Sequence, residues 1–194
     1  MFVAADGPRD NIAGEKEKCA KVRTIIEKID WDCDIKTLFR KKNLGCKKAV
    51  SSAIDWFFEH EEYGIILEDD CVPNESFFGF CEIMLNKYKD DERVGMVSGN
   101  NFLFNKNNLN NHSYYFSRYT HIWGWATWRR SWKKYDVSMS AWPEYKKSGM
   151  LKNKFNNRIS EYYWSDIFSK VYAGNIDTWD YQWMFINFLN NSLT

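Results

Sequence analysis

Histidine and cysteine, the residues that form structural zinc sites and disulfides, are scarce in this chain. Its 194 residues include three histidines and five cysteines. The histidines are scattered, no two cysteines stand as C-x-x-C, and the cysteine count is odd, so we expect neither a zinc site nor a disulfide framework. Free thiols are typical of a reducing compartment, so a cytoplasmic location is expected.

An excess of one charge and a long apolar run are also lacking. Lys and Arg total 27 and Asp and Glu total 26, which gives a net charge of +1. Such a chain has no overall field that would draw it to nucleic acid, and no nucleic-acid partner is expected. No apolar run reaches the roughly 18 residues that predict a transmembrane helix. The start, 1–6, has no basic segment before its apolar residues, so no secretory signal is predicted.

Aromatic rings are what the sequence has in excess. Trp, Tyr and Phe number 10, 11 and 14 and make up 18% of the residues. This content excludes a disordered or low-complexity chain, and the length suits one domain over residues 1–194. Composition alone leaves open whether the rings pack a core or contact a ligand. Only the Asn-rich stretch 100–111 is biased, and it predicts a polar loop.

Short apolar segments alternate with segments of helical periodicity in the first half of the chain. The predicted strands are 2–5, 35–39, 63–67 and 94–98. Helices are predicted from apolar residues spaced i, i+3, i+4, i+7 at 22–29 and at 50–57, the second running to about His60, and from a helix start after Pro73. This alternation predicts an α/β domain with a mostly parallel sheet.

The second half of the chain is less regular. The segment 114–119 is strand-like, and further helices are predicted over 162–172 and from Trp179 onward. Residues 122–132 predict a turn entering a helix, which would place Trp125, Trp128 and Trp132 on one face. Such a face is more often core than ligand site.

Three adjacent carboxylates, Glu68, Asp69 and Asp70, follow the buried strand 63–67. In open α/β sheets ligands collect at the carboxyl ends of strands. The three charges repel one another and lose hydration there, and a divalent cation would relieve both costs. Oxygen ligands suit Mg²⁺ or Mn²⁺, which can also bridge the phosphates of a nucleotide. The alternative is a solvated acidic loop.

The segment Ile65-Ile66-Leu67-Glu68-Asp69-Asp70, followed by Pro73 and by Phe77-Phe78, resembles the D-x-D-type segment of GT-A glycosyltransferases. It is most similar to the E-D-D form of N-acetylglucosaminyltransferases that act on N-glycans and of bacterial relatives loosely grouped with family 2. Four other segments resemble the family in the same order along the chain: Ala5-Asp6-Gly7, Asn43-Leu44-Gly45, Trp123-Gly124-Trp125 and Trp179-Asp180.

The resemblance implies a Rossmann-like α/β/α sandwich, the GT-A fold, and a reaction that moves a sugar from a nucleoside-diphosphate sugar to an acceptor hydroxyl. The transfer would be inverting and dependent on Mn²⁺ or Mg²⁺, with a saccharide or glycan as acceptor. The family usually has one strand before the first strand found here and continues beyond the last predicted helix. The expectation is therefore a fragment, or a member shortened at both ends.

The resemblance also implies roles for individual residues. Asp70 would be the metal ligand and Asp180 the general base. Asp69 would face the ribose or the donor sugar, with Glu68 in support. The other residues implied are Asp6, Asn43 and Gly45 for the nucleotide sugar, and Trp123, Gly124 and Trp125 for the acceptor.

Several of these residues have a structural alternative. Asp180 stands at a helix start and could be an N-cap, with Asp177 as a competitor for either role. Asp6 could simply serve its Asp-Gly-Pro turn. The basic run 40–42 suits an anion at a helix start, or is a solvated charge run. His121 is more often structural than catalytic.

Two rival functions remain beside glycosyl transfer. A carbohydrate-binding module would also use many aromatic rings, although such modules are usually all-β sandwiches. An inactive fragment would keep the fold without a complete donor site. Binding of nucleoside diphosphates with and without Mn²⁺ discriminates among the three.

Overall fold

The computed structural model of the chain describes residues 1–102, 112–155 and 157–194. From residue 103 on, the loop predicted at 100–111 lies outside these ranges. The described chain is mixed α/β, with 45% helix and 11% strand. No helix in these ranges is both long and apolar enough to cross a membrane.

The helices and strands follow the predicted order through the first half of the chain. The strands are β1 (Phe2–Ala5), β2 (Lys36–Phe39), β3 (Tyr63–Ile66), β4 (Met96–Ser98) and β5 (Trp125–Trp128). The α-helices are α1 (Glu15–Arg23), α2 (Gly45–His60), α3 (Ser76–Lys87), α4 (Arg129–Trp132), α5 (Trp142–Lys147), α6 (Arg158–Tyr172) and α7 (Asp180–Leu189). Two 3₁₀ segments, Thr24–Lys28 and Met150–Lys154, complete the set.

The expectation of a mostly parallel sheet is wrong for the described strands. β1 pairs in parallel with β2, as α/β alternation predicts. β5, however, lies between β3 and β4 and is antiparallel to both, with Ala126 opposite Ile65 on one side and Val97 on the other. β3 and β4 therefore run in the same direction but are separated by a reversed strand from the second half of the chain.

The segment 125–128 is a strand and not the start of the predicted helix. All four of its residues are buried, and a short run buried on both faces cannot be assigned to helix or strand by periodicity. Because side chains alternate along a strand, Trp125 and Trp128 point to opposite faces. Trp125 packs with Trp132, whereas Trp128 packs with Phe77 in a second core cluster.

Most of the aromatic excess is core. Trp125, Trp179 and Trp183 are buried almost completely. The Trp125 ring stacks on Trp179 with 5.7 Å between ring centroids, and Trp183 lies at the same distance from Trp125. Such ring pairs add about 0.5–1.5 kcal/mol beyond the area they bury. This packing fixes the start of α7 against β5.

Two other local predictions differ from the structure. The periodicity at 22–29 does not mark a buried helix face, because Val22 and Ile25 are 58% and 57% exposed and α1 already ends at Arg23. Segment 114–119 forms no strand, although Ser117 and Thr194 exchange backbone hydrogen bonds of 2.9 and 2.8 Å. Apolar residues at helical spacing show that one face of a helix is apolar, but they do not show whether another element packs against that face.

Candidate functional site

The Asp6 carboxylate, just after β1, holds the start of α2. Its Oδ2 accepts hydrogen bonds from Asn43 Nδ2 at 2.9 Å and from the Gly45 backbone N–H at 3.2 Å. Its Oδ1 accepts from the backbone N–H groups of Gly7 at 2.8 Å and Leu44 at 2.9 Å. The predicted nucleotide residues Asp6, Asn43 and Gly45 are thus brought together. The anion at the N-terminus of α2 is a side chain of the protein itself.

Gly45 allows a second carboxylate to approach this turn. Its φ is +76°, in the left-handed region, and a Cβ added there would lie 2.7 Å from Asp177 Oδ2. Any other residue would therefore both strain the backbone and push on Asp177. The acid that competes with Asp180 in the sequence lies beside the Asn43-Leu44-Gly45 turn.

The acidic triplet follows β3, and the charge of Asp180 in α7 reaches it. The prediction that residues 63–67 form a buried strand is wrong, because Tyr63 is 51% exposed and Leu67 is 40% exposed. Asp69 and Asp70 are exposed, whereas Glu68 is half-buried and its Oε1 is fully buried without a hydrogen-bond partner. Burial is the largest cause of the raised pKa of Glu68, followed by the negative charges of Asp70, Asp180 and Asp69. The triplet and the predicted base therefore share one electrostatic environment.

Asp180 is not the N-cap of α7. The N-cap is Trp179, which makes no side-chain cap hydrogen bond, and Asp180 is the first helical residue. Its Oδ1 accepts a hydrogen bond from the Thr178 hydroxyl. The capping alternative for Asp180 is wrong, and its carboxylate is left half-buried in the site.

The Cys46 thiol lies where these segments meet. Burial raises its pKa first, and the charges of Glu68, Asp177 and Asp180 raise it further. Three parts of the chain that are distant in sequence thus converge on one thiol. Sequence reasoning missed Cys46, and its position next to Gly45 was the signal that could have found it.

We call Glu68, Asp69, Asp70, Asp177 and Asp180 the acidic cluster. Across the described ranges, no Lys or Arg forms an ion pair with any of its members. Arg9, which follows Asp6-Gly7-Pro8 in the sequence, pairs with Glu15. The cluster is a concentration of negative charge that a cation would stabilise.

Protein ligands alone do not complete a metal site within the described parts of the chain. No three His, Cys, Asp or Glu side chains there form a group that could hold a metal ion. A hard cation such as Mg²⁺ needs fewer, since it is commonly bound by one or two carboxylates together with waters and substrate phosphates. Asp70 could serve in that way, with the Cys71 Sγ donating to its Oδ1 at 3.7 Å.

The predicted acceptor segment divides between surface and core. Trp123 is 64% exposed, whereas Trp125 is fully buried, so the core alternative for Trp125 is the one observed. Gly124 has φ +78° and its carbonyl accepts a hydrogen bond of 2.8 Å from the Gly99 N–H. Gly124 is itself buried, and a Cβ added to it would lie 3.4 Å from Phe77 and 3.5 Å from Leu67. Of the three predicted acceptor residues, Trp123 is the exposed one.

A cavity of about 720 Å³ joins the triplet to the acceptor segment. Its lining includes Asp70, Asn100, Trp123 and Gly124, and its volume falls in the range of roughly 300–1,000 Å³ that small-molecule sites occupy. A smaller cavity of about 160 Å³ is lined by Asp180 and His121. His121 lines both, and burial lowers its pKa, so it stays neutral near pH 7.

The chain has no match among protein-family models, curated proteins or solved structures. The candidate site consists of two groups of residues. One is the turn 43–46 with the acidic cluster, and the other is the cavity shared by Asp70, Trp123 and Gly124.

Proposed function

We propose that the chain is a GT-A-type glycosyltransferase that moves a sugar from a nucleoside-diphosphate sugar to an acceptor hydroxyl. The transfer is inverting and uses Mn²⁺ or Mg²⁺. One observation carries the proposal: the charge of Asp180 contributes to the raised pKa of Glu68, and both carboxylates contribute to the raised pKa of the Cys46 thiol. This supports the proposal that a triplet after one strand and a carboxylate on a distant helix act together.

Two features of these residues favour a divalent cation whose coordination is completed by waters and substrate phosphates. The buried, unpartnered Oε1 of Glu68 is an acceptor that lacks a donor, and the cluster contains only hard oxygen ligands beside one protonated thiol. Asp70 would hold the ion, with Asp69 facing the ribose or the donor sugar. The bound cation would supply charge neutralisation for the departing diphosphate.

Asp180 would act as the general base in this proposal. Its Oδ1 accepts from Thr178, which leaves Oδ2 to take the proton of the acceptor hydroxyl. The acceptor oxygen then forms a bond to the anomeric carbon. The bond from that carbon to the diphosphate breaks, and its electron pair leaves with the nucleoside diphosphate. A single displacement of this kind inverts the configuration.

The remaining predicted residues would position the two substrates. Asp6 keeps the Asn43-Leu44-Gly45 turn in place, and the backbone of that turn would contact the nucleotide. Trp123, with its exposed ring, would stack on a saccharide acceptor.

Release of nucleoside diphosphate tests this function. We would supply UDP-N-acetylglucosamine, UDP-glucose and GDP-mannose in turn, each with Mn²⁺. Asp70→Asn and Asp180→Asn should each lower the turnover at least 100-fold, whereas Asp90→Asn, an exposed carboxylate outside the cluster, should leave it unchanged. Equal turnover in Asp70→Asn and wild type would contradict the proposal.

The rival functions give different results in the same assay. Binding of saccharide that needs neither metal nor nucleotide, without any release, would indicate a carbohydrate-binding module. Metal-dependent nucleotide binding without release from any of the three donors would indicate an inactive fragment.

A further inference from the structure

Thr178, Trp179 and Asp180, at the start of α7, each accept a separate hydrogen bond. Gln182, fully buried, donates from Nε2 to the Thr178 carbonyl at 2.7 Å. The Tyr135 hydroxyl donates to the Trp179 carbonyl at 3.0 Å. The Thr178 hydroxyl donates to Asp180 Oδ1. The turn is therefore anchored from the core side, and Asp180 is anchored from the turn.

The anchors are rigid because their donors are packed. The Tyr135 ring stacks on Trp132 with 4.3 Å between centroids and 10° between planes. Burial strongly raises the pKa of the Tyr135 phenol, so it remains a donor over the working pH range. Thr178 therefore sits on a backbone that cannot easily move relative to β5 and α7.

We propose that Thr178 is a positioning residue for Asp180, and that its hydroxyl fixes the rotamer in which Oδ2, and not Oδ1, faces the acceptor. This inference rests on the proposed function. The hydrogen bond occupies one oxygen of the carboxylate and thereby orients the other. The bond from Thr178 is the hydrogen bond to the Asp180 carboxylate that the structure shows within the described ranges.

The geometry has a defined consequence for the transfer step. In the step, the acceptor O–H proton passes to Asp180 Oδ2 while the acceptor oxygen attacks the anomeric carbon. A carboxylate that rotates freely has an oxygen aligned with the acceptor hydroxyl only part of the time, which lowers the rate of this step without changing how the donor binds. Loss of the Thr178 hydroxyl should therefore reduce kcat and leave the donor KM unchanged.

The test compares Thr178→Val, which keeps the branched shape and loses the hydroxyl, with Thr178→Ser, which keeps the hydroxyl. Release of UDP from UDP-N-acetylglucosamine with Mn²⁺ is the assay, with the other two donors as substitutes. We expect Val to lower kcat roughly 10-fold to 100-fold and Ser to stay within about twofold of wild type. Thr24→Val, which removes an exposed hydroxyl bonded to Lys21, serves as the control.

A double variant shows whether Thr178 acts through Asp180. If it does, adding Thr178→Val to Asp180→Asn causes no further loss, because the group being oriented is already gone. An equal loss in both backgrounds, or a wild-type rate in Thr178→Val, would overturn the inference. If Asp180→Asn itself kept full activity, or no donor were turned over, the proposed function would fail first.

Discussion

A Cβ added to Gly45 would lie 2.7 Å from Asp177 Oδ2, so the start of α2 and the segment before α7 are in direct contact. These segments are separated by most of the chain. Their contact brings together the sequence motifs at the start of α2 and at the start of α7. It also gives a stability prediction that can be tested with a matched control.

Gly45→Ala should destabilise the protein by about 2–4 kcal/mol. One part of the loss is the left-handed φ of +76°, and the other is displacement of Asp177 by the new methyl group. Gly149→Ala carries the first part alone, since its φ is +69° and nothing lies within 4 Å of its added Cβ. Urea unfolding of both variants should show the larger loss for Gly45→Ala; equal losses would contradict the contact.

Glu68 should make stability depend on pH. Because its pKa is raised in the folded protein, the folded state binds more protons than the unfolded state between the ordinary pKa and the raised one. Stability should therefore fall as the pH rises through that window. Glu68→Gln removes this loss and should become more stable relative to wild type as the pH rises from 4 to 7.

Urea unfolding at pH 4 and pH 7 checks the Glu68 prediction. Glu82→Gln, on the exposed side of α3, is the control and should track wild type at both values. If the unfolding free energy of Glu68→Gln also matched that of wild type at both pH values, the pKa of Glu68 would not be raised by burial and neighbouring charges.

Two tryptophans only two positions apart should behave in opposite ways. Trp125→Ala removes a fully buried ring and should cost about 3–5 kcal/mol of unfolding free energy. Trp123→Ala removes an exposed ring and should cost less than about 1 kcal/mol of unfolding free energy. It should instead weaken the binding of saccharide acceptors. Thermal unfolding and acceptor titration separate the two; a large stability loss in Trp123→Ala would remove it from the acceptor site.

Much of the first half of the fold was predictable from the sequence. β1 matches its predicted bounds, and α2 ends at His60 as expected, because turn chemistry and apolar spacing agree there. Residues 125–128 were predicted to enter a helix because spacing alone does not separate helix from strand in a short buried run. The two tryptophans and the threonine of this run were the signal that favoured a strand. The position of β5 between β3 and β4 is a tertiary choice that local pattern does not encode.

The candidate site was also only partly predictable from the sequence. Asp70 and Asp180 were predicted from motifs, whereas the approach of Asp177 to Gly45 and the effect of Asp180 on Glu68 depend on tertiary structure. Cys46, Thr178 and Tyr135 carry no motif of their own and are found only through contacts with Glu68, Asp180 and the Trp179 carbonyl.

Calorimetry of nucleoside diphosphates tests the central claim most directly. UDP and GDP would each be titrated into the protein with Mn²⁺ and then with EDTA, using wild type, Asp70→Asn and the control Asp90→Asn. The account predicts that at least one of them binds wild type and Asp90→Asn only with Mn²⁺, and that Asp70→Asn loses this binding. Binding that is unaffected by EDTA or by Asp70→Asn, or no binding of either nucleotide, would contradict it.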